Sequence, residues 1–438
     1  MGTTRQPSCH LVHIFRHTTT GRVGLRAHVT ADPPSHGDNE ASFGDLWRLP
    51  GMRPLAVSVG LSRWVLDGML PITLVLTCLR NFGSPAIAGL LVLLGTLPGL
   101  ALTPFAGALL DRRGRIAFIR LDVLLAIAAF AMLAALIGTH RLTVPIIVAA
   151  AVLLSCTRPL AQAGARAQVP TITPEWLWDR ANAVDTAIFT AVSLTAPAAA
   201  SALFGVLGPG PLFIFGAALL LLTFAVLAQV PETVVVSDPH SVWKETREGV
   251  NYFLRNHTLT WLSASSSLLN VAPGTLLVVL PVIVVSNMHE PAAVVGLMLV
   301  LEQLGAAVAL VIAGRAGTRG REVPLMVAGA FVTALGSMLV LVAPGLPLIA
   351  VGMVVLGVGG GPYWVALYGL RQRRTVPHMF ARAFALSYGG NVAGQPLASG
   401  MAGWLSSAVG VAPALGLAIA GPLLALIALC RIPGDTSP

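Results

Sequence analysis

The sequence predicts an all-α membrane protein with twelve transmembrane helices arranged in two pseudo-symmetric six-helix bundles. Hydrophobic residues make up 55% of the chain and charged residues only 10%, whereas soluble domains carry about 25% charged residues. Long apolar runs recur from one end of the chain to the other, and the second half repeats features of the first. With so few charges, a soluble protein of 438 residues could not cover its surface.

Twelve apolar runs bounded by turn residues are each long enough to cross a bilayer, which takes about 20 residues. Those in the first half cover residues 55–79, 85–110, 116–137, 144–168, 181–207 and 210–230. Those in the second half cover residues 258–286, 292–316, 323–343, 346–370, 380–406 and 411–431. The spans define an N-terminal bundle over residues 51–230 and a C-terminal bundle over residues 258–438, and their even number puts both termini on one side.

Basic side chains concentrate on one side of these spans. On that side lie Arg112, Arg113, Arg115, Arg120, Arg166, Arg180, Lys244, Arg247, Arg255, Arg315, Arg319, Arg321, Arg371, Arg373, Arg374 and Arg382. The opposite side has only Arg80 and Arg141. Because basic loops stay in the cytoplasm, this asymmetry predicts an integral protein of the cytoplasmic (cell inner) membrane with both termini inside. The net charge of +9 is therefore interpreted as a topology signal, and no nucleic-acid binding is expected.

Two segments lie outside the predicted bundles. Residues 1–50 form a cytoplasmic tail without a signal-peptide core, and its first part, 1–41, is predicted to be disordered unless translation starts downstream. Residues 43–49 are expected to lie along the inner surface as a short amphipathic lead-in. In the linker 231–257, apolar residues at helical spacing over 241–255 predict an interfacial helix, although a plain connector fits equally well.

An internal repeat relates the two halves at an offset of about 206 residues. Pro85-Ala86 corresponds to Pro291-Ala292, and Arg113-Gly114-Arg115 corresponds to Arg319-Gly320-Arg321. The second copy of this basic turn is weaker, because Gly317 stands where Asp111 stands in the first. Repeated six-helix halves related by an axis along the membrane normal are therefore predicted.

The turn Gly107-Ala108-Leu109-Leu110-Asp111-Arg112-Arg113-Gly114-Arg115 resembles a known family signature. It matches the Gly-x-x-x-Asp-Arg-x-Gly-Arg loop between helices 2 and 3 of the major facilitator superfamily. The resemblance covers roughly residues 45–431, and within the superfamily the chain looks like the twelve-helix bacterial drug and siderophore exporters. One departure is Ala196-Pro197-Ala198-Ala199-Ala200-Ser201, which replaces the Gly-Pro-x-x-Gly-Gly run of many antiporters and weakens the inference of antiport.

This turn is also the predicted gating hinge, formed by Gly107, Asp111, Arg112, Gly114 and Arg115. Asp111 could accept hydrogen bonds from helix-terminal amides and pair with arginine across the interface between the halves, holding the inner gate in one state. The alternative is a simple positive-inside anchor. Asp122, about two turns further on, is expected to brace the hinge electrostatically.

Four ionisable residues lie deep in the predicted spans, where charges are costly and usually functional: Asp67, Arg63, Arg158 and Glu302. The functional hypothesis makes Asp67 or Glu302 the proton-binding group, because a carboxyl group shielded from water can load and release a proton at ordinary pH. The family resemblance gives Arg158 a part in proton movement. In the structural alternative, Asp67 and Arg63 form a fixed ion pair one helical turn apart and Glu302 is a hydrogen-bonded packing residue.

Polar residues near the middle of spans 7, 10 and 11 are candidates for a substrate cavity: Asn270, Tyr363, Trp364, Asn391 and Gln395. Each has an equally ordinary alternative, since aromatic packing and interhelical hydrogen bonds use the same residue types. The glycine run before Pro362 lacks the Lys-Ser or Lys-Thr of a phosphate loop, which favours close helix packing.

The sequence contains no constellation for catalysis or cofactor binding. Its four cysteines are widely scattered, which argues against a disulfide framework and a metal site: Cys9, Cys78, Cys156 and Cys430. We therefore expect no enzyme activity, no metal and no cofactor. The expected partners are a small-molecule substrate, protons or another coupling ion and membrane lipids, and the protein is expected to be a monomer.

The resemblance implies a secondary transporter whose halves rock about a midplane site. A largely apolar cavity with few charges suits a small amphipathic or drug-like compound better than a sugar. Efflux driven by proton exchange is the resulting hypothesis. Two alternatives stay open: an uptake or facilitated-diffusion permease with purely structural charges, and a transporter-like sensor or lipid scramblase without ion coupling.

Overall fold

The computed structural model describes residues 42–103, 115–231, 247, 250–375 and 380–432. In this part of the chain every regular element is a helix, and eleven helices are long and apolar enough to cross a membrane. A further helix of 29 residues, Phe380–Ala408, stands where the sequence predicts span 11. The all-α fold with a pair of six-helix halves is thus as predicted.

The transmembrane helices are labelled in chain order. Those of the first half are α1 (Met52–Phe82), α2 (Pro85–Thr103), α3 (Arg115–Gly138), α4 (Val144–Ile172), α5 (Trp178–Leu207) and α6 (Pro209–Leu227). Those of the second half are α7 (His257–Asn287), α8 (Ala292–Ala316), α9 (Glu322–Leu341), α10 (Leu346–Arg373), α11 (Phe380–Ala408) and α12 (Val411–Cys430). Most ends lie within a few residues of the predicted ones.

Local sequence explains where several helices begin and end. The Ser84 side chain accepts a hydrogen bond from the backbone N–H of Ile87 at 3.4 Å and so caps α2. Asn256 caps α7 in the same way, accepting from the backbone N–H of Leu259 at 3.1 Å. Gly83 and Gly208 end α1 and α5 with φ angles of 61° and 79°, a left-handed conformation that glycine adopts without strain.

The first helix of each half contains a π-helical turn, at Trp64–Met69 in α1 and at Val282–Asn287 in α7. A π turn holds more residues than an α turn, so it rotates the side chains on either side of it relative to one another. Asp67 lies in the π turn of α1. The Asp67 side chain therefore does not lie on the face of α1 that an α-helical spacing from Arg63 would give.

The two halves meet at one end of the molecule through the helix pairs α2–α11 and α5–α8. Gly89 and Gly403 lie so close to the facing backbone that neither has room for a Cβ atom, and the N–H of Ala86 donates to Ser407 Oγ at 2.9 Å. Across the second pair, Gly296 packs against Ala198. Small residues permit this close approach.

We call this the outer end, because it carries the connections 83–84, 208, 288–291 and 409–410, which the charge pattern predicts to face outside. A hydrogen bond between the halves, from the Ala86 N–H to Ser407 Oγ, lies here. The described contacts therefore hold the halves together at the outer end.

The predicted lead-in is a short helix, Phe43–Arg48, whose Leu46 is fully buried. The backbone N–H of Ser42 donates to the Asp45 carboxylate at 3.0 Å, and this bond lowers the pKa of Asp45. Of the predicted linker helix, residues 247 and 250–255 are described and helical. The tail 1–41 and the rest of the linker lie outside the described residues.

Candidate functional site

Three charged side chains from different helices meet inside the N-terminal half. Arg158 of α4 binds both carboxylate oxygens of Asp67 on α1, through Nε at 2.7 Å and Nη2 at 2.9 Å. Its remaining nitrogen, Nη1, donates to Asp122 of α3 at 3.1 Å. We call these residues the Asp67–Arg158–Asp122 trio. Bidentate binding of this kind is stronger and more directional than a simple ion pair.

The trio is exposed at one end only. The side chain of Asp122 is 1% exposed, that of Arg158 15% and that of Asp67 30%. Asp122 is therefore a buried anchor, and Asp67 is the carboxylate that solvent or a ligand can reach.

Neighbouring residues of α4 complete the hydrogen bonds of the trio. Thr157 Oγ1 donates to Asp122 at 2.6 Å, and Gln162 Nε2 lies 3.3 Å from both oxygens of Asp67. Arg158 and Gln162 are four residues apart, so both project from one face of α4 toward α1. Pro159 interrupts the backbone hydrogen bonds of α4 immediately after Arg158. No pattern in the sequence indicates that Thr157 or Gln162 belongs to this site.

The predicted pair of Asp67 with Arg63 does not form. Arg63 Nη1 instead donates to Asp185 of α5 at 2.6 Å, and the Asp185 side chain is 38% exposed. The π turn between Arg63 and Asp67 explains the difference, because it removes the α-helical register on which the pairing was based. Asp67 finds its partner on α4, so these two ion pairs form separate sites among the described residues of the first half.

Most of the predicted gating hinge lies outside the described residues: Gly107, Asp111, Arg112 and Gly114. Arg115 is described, and its Nη1 donates to the Ala167 carbonyl of α4 at 2.6 Å. The recorded contacts of Asp122 are with Thr157 and Arg158 on α4, which makes it a member of the trio, and its bracing of the hinge stays a prediction. In the repeated turn of the second half, Glu322 accepts from the Gly320 N–H and pairs with Arg373.

The C-terminal half contains a different polar cluster, which we call the Arg371 cluster. Arg371 is 1% exposed, and its Nη2 donates to Asn391 Oδ1 at 3.1 Å. Ser266 also hydrogen-bonds to that oxygen, and Asn270 Nδ2 donates to the Asn391 carbonyl at 2.9 Å. The sequence placed Arg371 in a loop, but α10 continues to Arg373 and buries it.

The remaining cavity candidates differ in how accessible they are. Tyr363 is fully buried and donates from its hydroxyl to Ser265 Oγ at 2.8 Å, and Asn391 is equally enclosed, so both serve interhelical bonding. Trp364 and Gln395 are half-buried. The Trp364 ring lies 5.7 Å from that of Tyr363 and 6.1 Å from that of Tyr368.

Glu302 lies on α8, away from the Asp67–Arg158–Asp122 trio. It is half-buried, and its backbone packs against Gly357 of α10 so closely that a Cβ atom at Gly357 would have no room. No ion pair or hydrogen bond of its side chain is recorded within the described part of the chain.

A polar stripe on α5 was not predicted. Asn182, Thr186, Thr190 and Ser193 recur at helical spacing, and the three hydroxyl groups donate to carbonyls one turn earlier at 2.9–3.0 Å. Phe189 on the same helix is 57% exposed. Hydroxyl groups that donate to their own helix still offer lone pairs to a ligand. The spacing of three and four residues is visible in the sequence, but the face of α5 that these residues occupy is not.

The chain matches a known protein family over most of its length. A profile of the Major Facilitator Superfamily matches residues 54–291 and 274–438. An uncharacterized MFS-type transporter of Sinorhizobium fredii is 34% identical over 405 residues, covering 92% of this chain and 99% of the relative.

Two solved structures share the fold. A bacterial homologue of the iron transporter ferroportin, in an inward-facing state, has a TM-score of 0.67 at 17% identity and covers 87% of this chain and 98% of its own. The nucleoside transporter NupG has a TM-score of 0.66 at 13% identity, with coverages of 86% and 98%. In the described residues of this chain, no three His, Cys, Asp or Glu side chains group as metal ligands would.

Proposed function

Since this chain belongs to the Major Facilitator Superfamily and is a membrane transporter of that family, we propose that it is a secondary transporter that exports a small amphipathic compound in exchange for protons. It would work by alternating access, with the two six-helix halves rocking about a central site. The Asp67–Arg158–Asp122 trio is the observation that carries the proposal.

The trio contains two carboxylates and a single guanidinium, so it has one more negative than positive charge. One excess negative charge within the membrane is costly, and a proton removes it. Asp67 is the group best placed to take that proton, because it is the exposed member. Asp122 keeps its bonds to Thr157 and Arg158 in either state.

Protonation of Asp67 would couple to movement through α1 and α4. A neutral carboxyl group gives up the charge-assisted bidentate contact with Arg158, so the contact between these helices weakens. Arg158 stays held to α3 by Asp122. The proton would thereby change the free-energy difference between two conformations of the N-terminal half. Coupling to an ion gradient requires such a change.

The polar stripe of α5 and the aromatic residues Phe189 and Trp364 support an amphipathic cargo. The stripe offers hydrogen-bond acceptors, Phe189 on the same helix offers an exposed ring, and the half-buried Trp364 of α10 offers a second aromatic surface. This combination suits a compound with both polar and apolar parts. A sugar would require many more polar side chains.

The predicted membrane topology gives the side from which the cargo enters, and the predicted hinge gives the gate at the inner end. With both termini in the cytoplasm, the closed outer end would face outside, and a cargo would enter from the cytoplasm. Asp111 would then pair with arginine across the halves when the inner end closes, and break that pairing when it opens.

The test uses purified protein in liposomes with an imposed pH gradient, with internal pH followed as lipophilic cations and uncharged drugs are added. We expect compound-dependent proton movement that is lost in Asp67→Asn. Proton movement that persists in Asp67→Asn would transfer the role to Glu302. No proton movement with any compound would contradict the exchange mechanism and favour uptake, facilitated diffusion or a role without ion coupling.

A further inference from the structure

A pocket of about 440 Å³ lies at the outer end of the N-terminal half, away from the trio and the α5 stripe. It is formed where α1, α3 and α6 end or begin, and its walls include Arg80, Asn81, His140, Leu142 and Gly208. None of its lining residues is acidic. A basic, partly apolar pocket of this kind has no part in the proposed exchange mechanism.

Arg80 is held in position at this pocket rather than left to move freely in solvent. Its guanidinium lies 6.0 Å from the centre of the Phe204 ring, and it packs against Gly208, where a Cβ atom would come within 3.2 Å of Nη1. In the described part of the chain, no carboxylate lies within ion-pair distance of Arg80. The pocket therefore presents a positioned cation without a counter-charge.

The distribution of charge makes this position unusual. Arg80 and Arg141 are the only basic residues that the sequence places on the predicted outer side, and residue 140, next to Arg141, also lines this pocket. His140 has a φ of 54°, a left-handed conformation that costs energy for any residue other than glycine. The predicted outer side is therefore poor in positive charge, and of its two arginines Arg80 is the one that lines this pocket.

We propose that this pocket binds the phosphate group of an anionic phospholipid headgroup. The pocket lies at the ends of membrane-spanning helices, where headgroups are found. On two of the helices that contribute to the pocket, Ile214 of α6 and Met132 of α3 are 61% and 42% exposed, as side chains that face acyl chains would be. Arg80 would bind the phosphate, with Asn81 and His140 donating hydrogen bonds beside it.

The experiment measures lipid retention by native mass spectrometry of the full chain, with phosphatidylglycerol and phosphatidylcholine offered together. We expect one retained phosphatidylglycerol with a preference of about fivefold per bound molecule, the size that one arginine near a membrane surface supports. Arg80→Gln removes the preference and Arg80→Lys keeps most of it. Arg141→Gln, a neighbouring arginine outside the pocket lining, leaves it unchanged and is the matched control.

Equal retention of the two lipids by the wild type, or an unchanged preference in Arg80→Gln, would overturn the proposal. An equal loss in Arg80→Gln and Arg141→Gln would also overturn it, because general surface charge would then explain the binding. Soluble glycerol 1-phosphate is offered as a second probe. We expect it to leave the retained lipid in place, whereas its binding in the absence of lipid would assign the pocket to a free phosphate compound instead.

Discussion

The two halves share a sequence repeat, but their polar interiors differ in charge. In the N-terminal half, Arg158 lies between two carboxylates, and one of them is exposed. In the C-terminal half, Arg371 is buried beside the neutral amide of Asn391 and the hydroxyl of Ser266. The repeat thus preserves the helices without preserving the chemistry between them.

This difference indicates which half would take up the proton. In the proposed mechanism, the Asp67–Arg158–Asp122 trio changes its charge by taking up one proton at Asp67, its accessible carboxylate. The contacts recorded for the Arg371 cluster are hydrogen bonds to groups that keep one protonation state at ordinary pH. The proton-coupled step is accordingly proposed for the N-terminal half, and the Arg371 cluster is interpreted as a fixed interhelical connection.

The largest effect on stability is expected when the central arginine of the N-terminal half is replaced. Arg158→Met leaves two carboxylates facing each other within the membrane, and we expect it to lower the free energy of unfolding by about 3 kcal/mol. In the matched variant Arg371→Met, the partners recorded for the guanidinium are neutral groups, so the loss should be about 1 kcal/mol. Denaturation of both variants in the same detergent measures the difference, and equal losses would contradict the distinction between the halves.

A smaller effect is expected from the buried carboxylate of the trio. Asp122→Asn keeps the shape of the side chain but removes the charged acceptor of two hydrogen bonds, which should cost about 2 kcal/mol. Thr157→Val removes only one of the donors and should cost about 1 kcal/mol. Thermal unfolding in detergent provides the comparison. A greater loss in Thr157→Val than in Asp122→Asn would show that the carboxylate charge is not what holds α3 to α4.

The smallest effect is expected at the second ion pair of the N-terminal half. Asp185 is 38% exposed but its partner Arg63 only 6%, so Asp185→Asn, which keeps an amide oxygen facing the guanidinium, should lower the free energy of unfolding by about 1 kcal/mol. Proton movement should continue in this variant because the trio is intact. Loss of proton movement in Asp185→Asn would place the coupling group at the Arg63 pair, and the same liposome measurement would detect it.

The helices could be predicted from the sequence because hydropathy is a local property. The deep charged residues could be predicted because the energetic cost of a charge in the membrane depends on its own position. The ion-pair partners of these residues could not be predicted. Spacing predicted that Asp67 would meet Arg63, but the π turn at Trp64–Met69 turned Asp67 toward Arg158. A single sequence gives no sign of where an α-helix adds one residue to a turn, and that residue decided which ion pairs form.

The position of Arg371 is a second feature that could not be predicted from the sequence. Placed just past a run of apolar residues, it was assigned to a basic loop with Arg373 and Arg374. The structure continues α10 through Arg373, so the position faces Asn391 of the neighbouring helix. A charged residue at a span boundary can serve as a loop residue or as an interhelical contact, and only packing decides between them.

The most direct test of the central claim is proton-driven accumulation of a transported compound in liposomes containing the wild type, Asp67→Asn or Glu302→Gln. Glu302 is the matched control, because it is an acid of the other half that is not part of the trio. We predict that Asp67→Asn loses accumulation while still exchanging the compound down its own gradient, and that Glu302→Gln retains both. Accumulation by Asp67→Asn equal to that of the wild type would contradict the account.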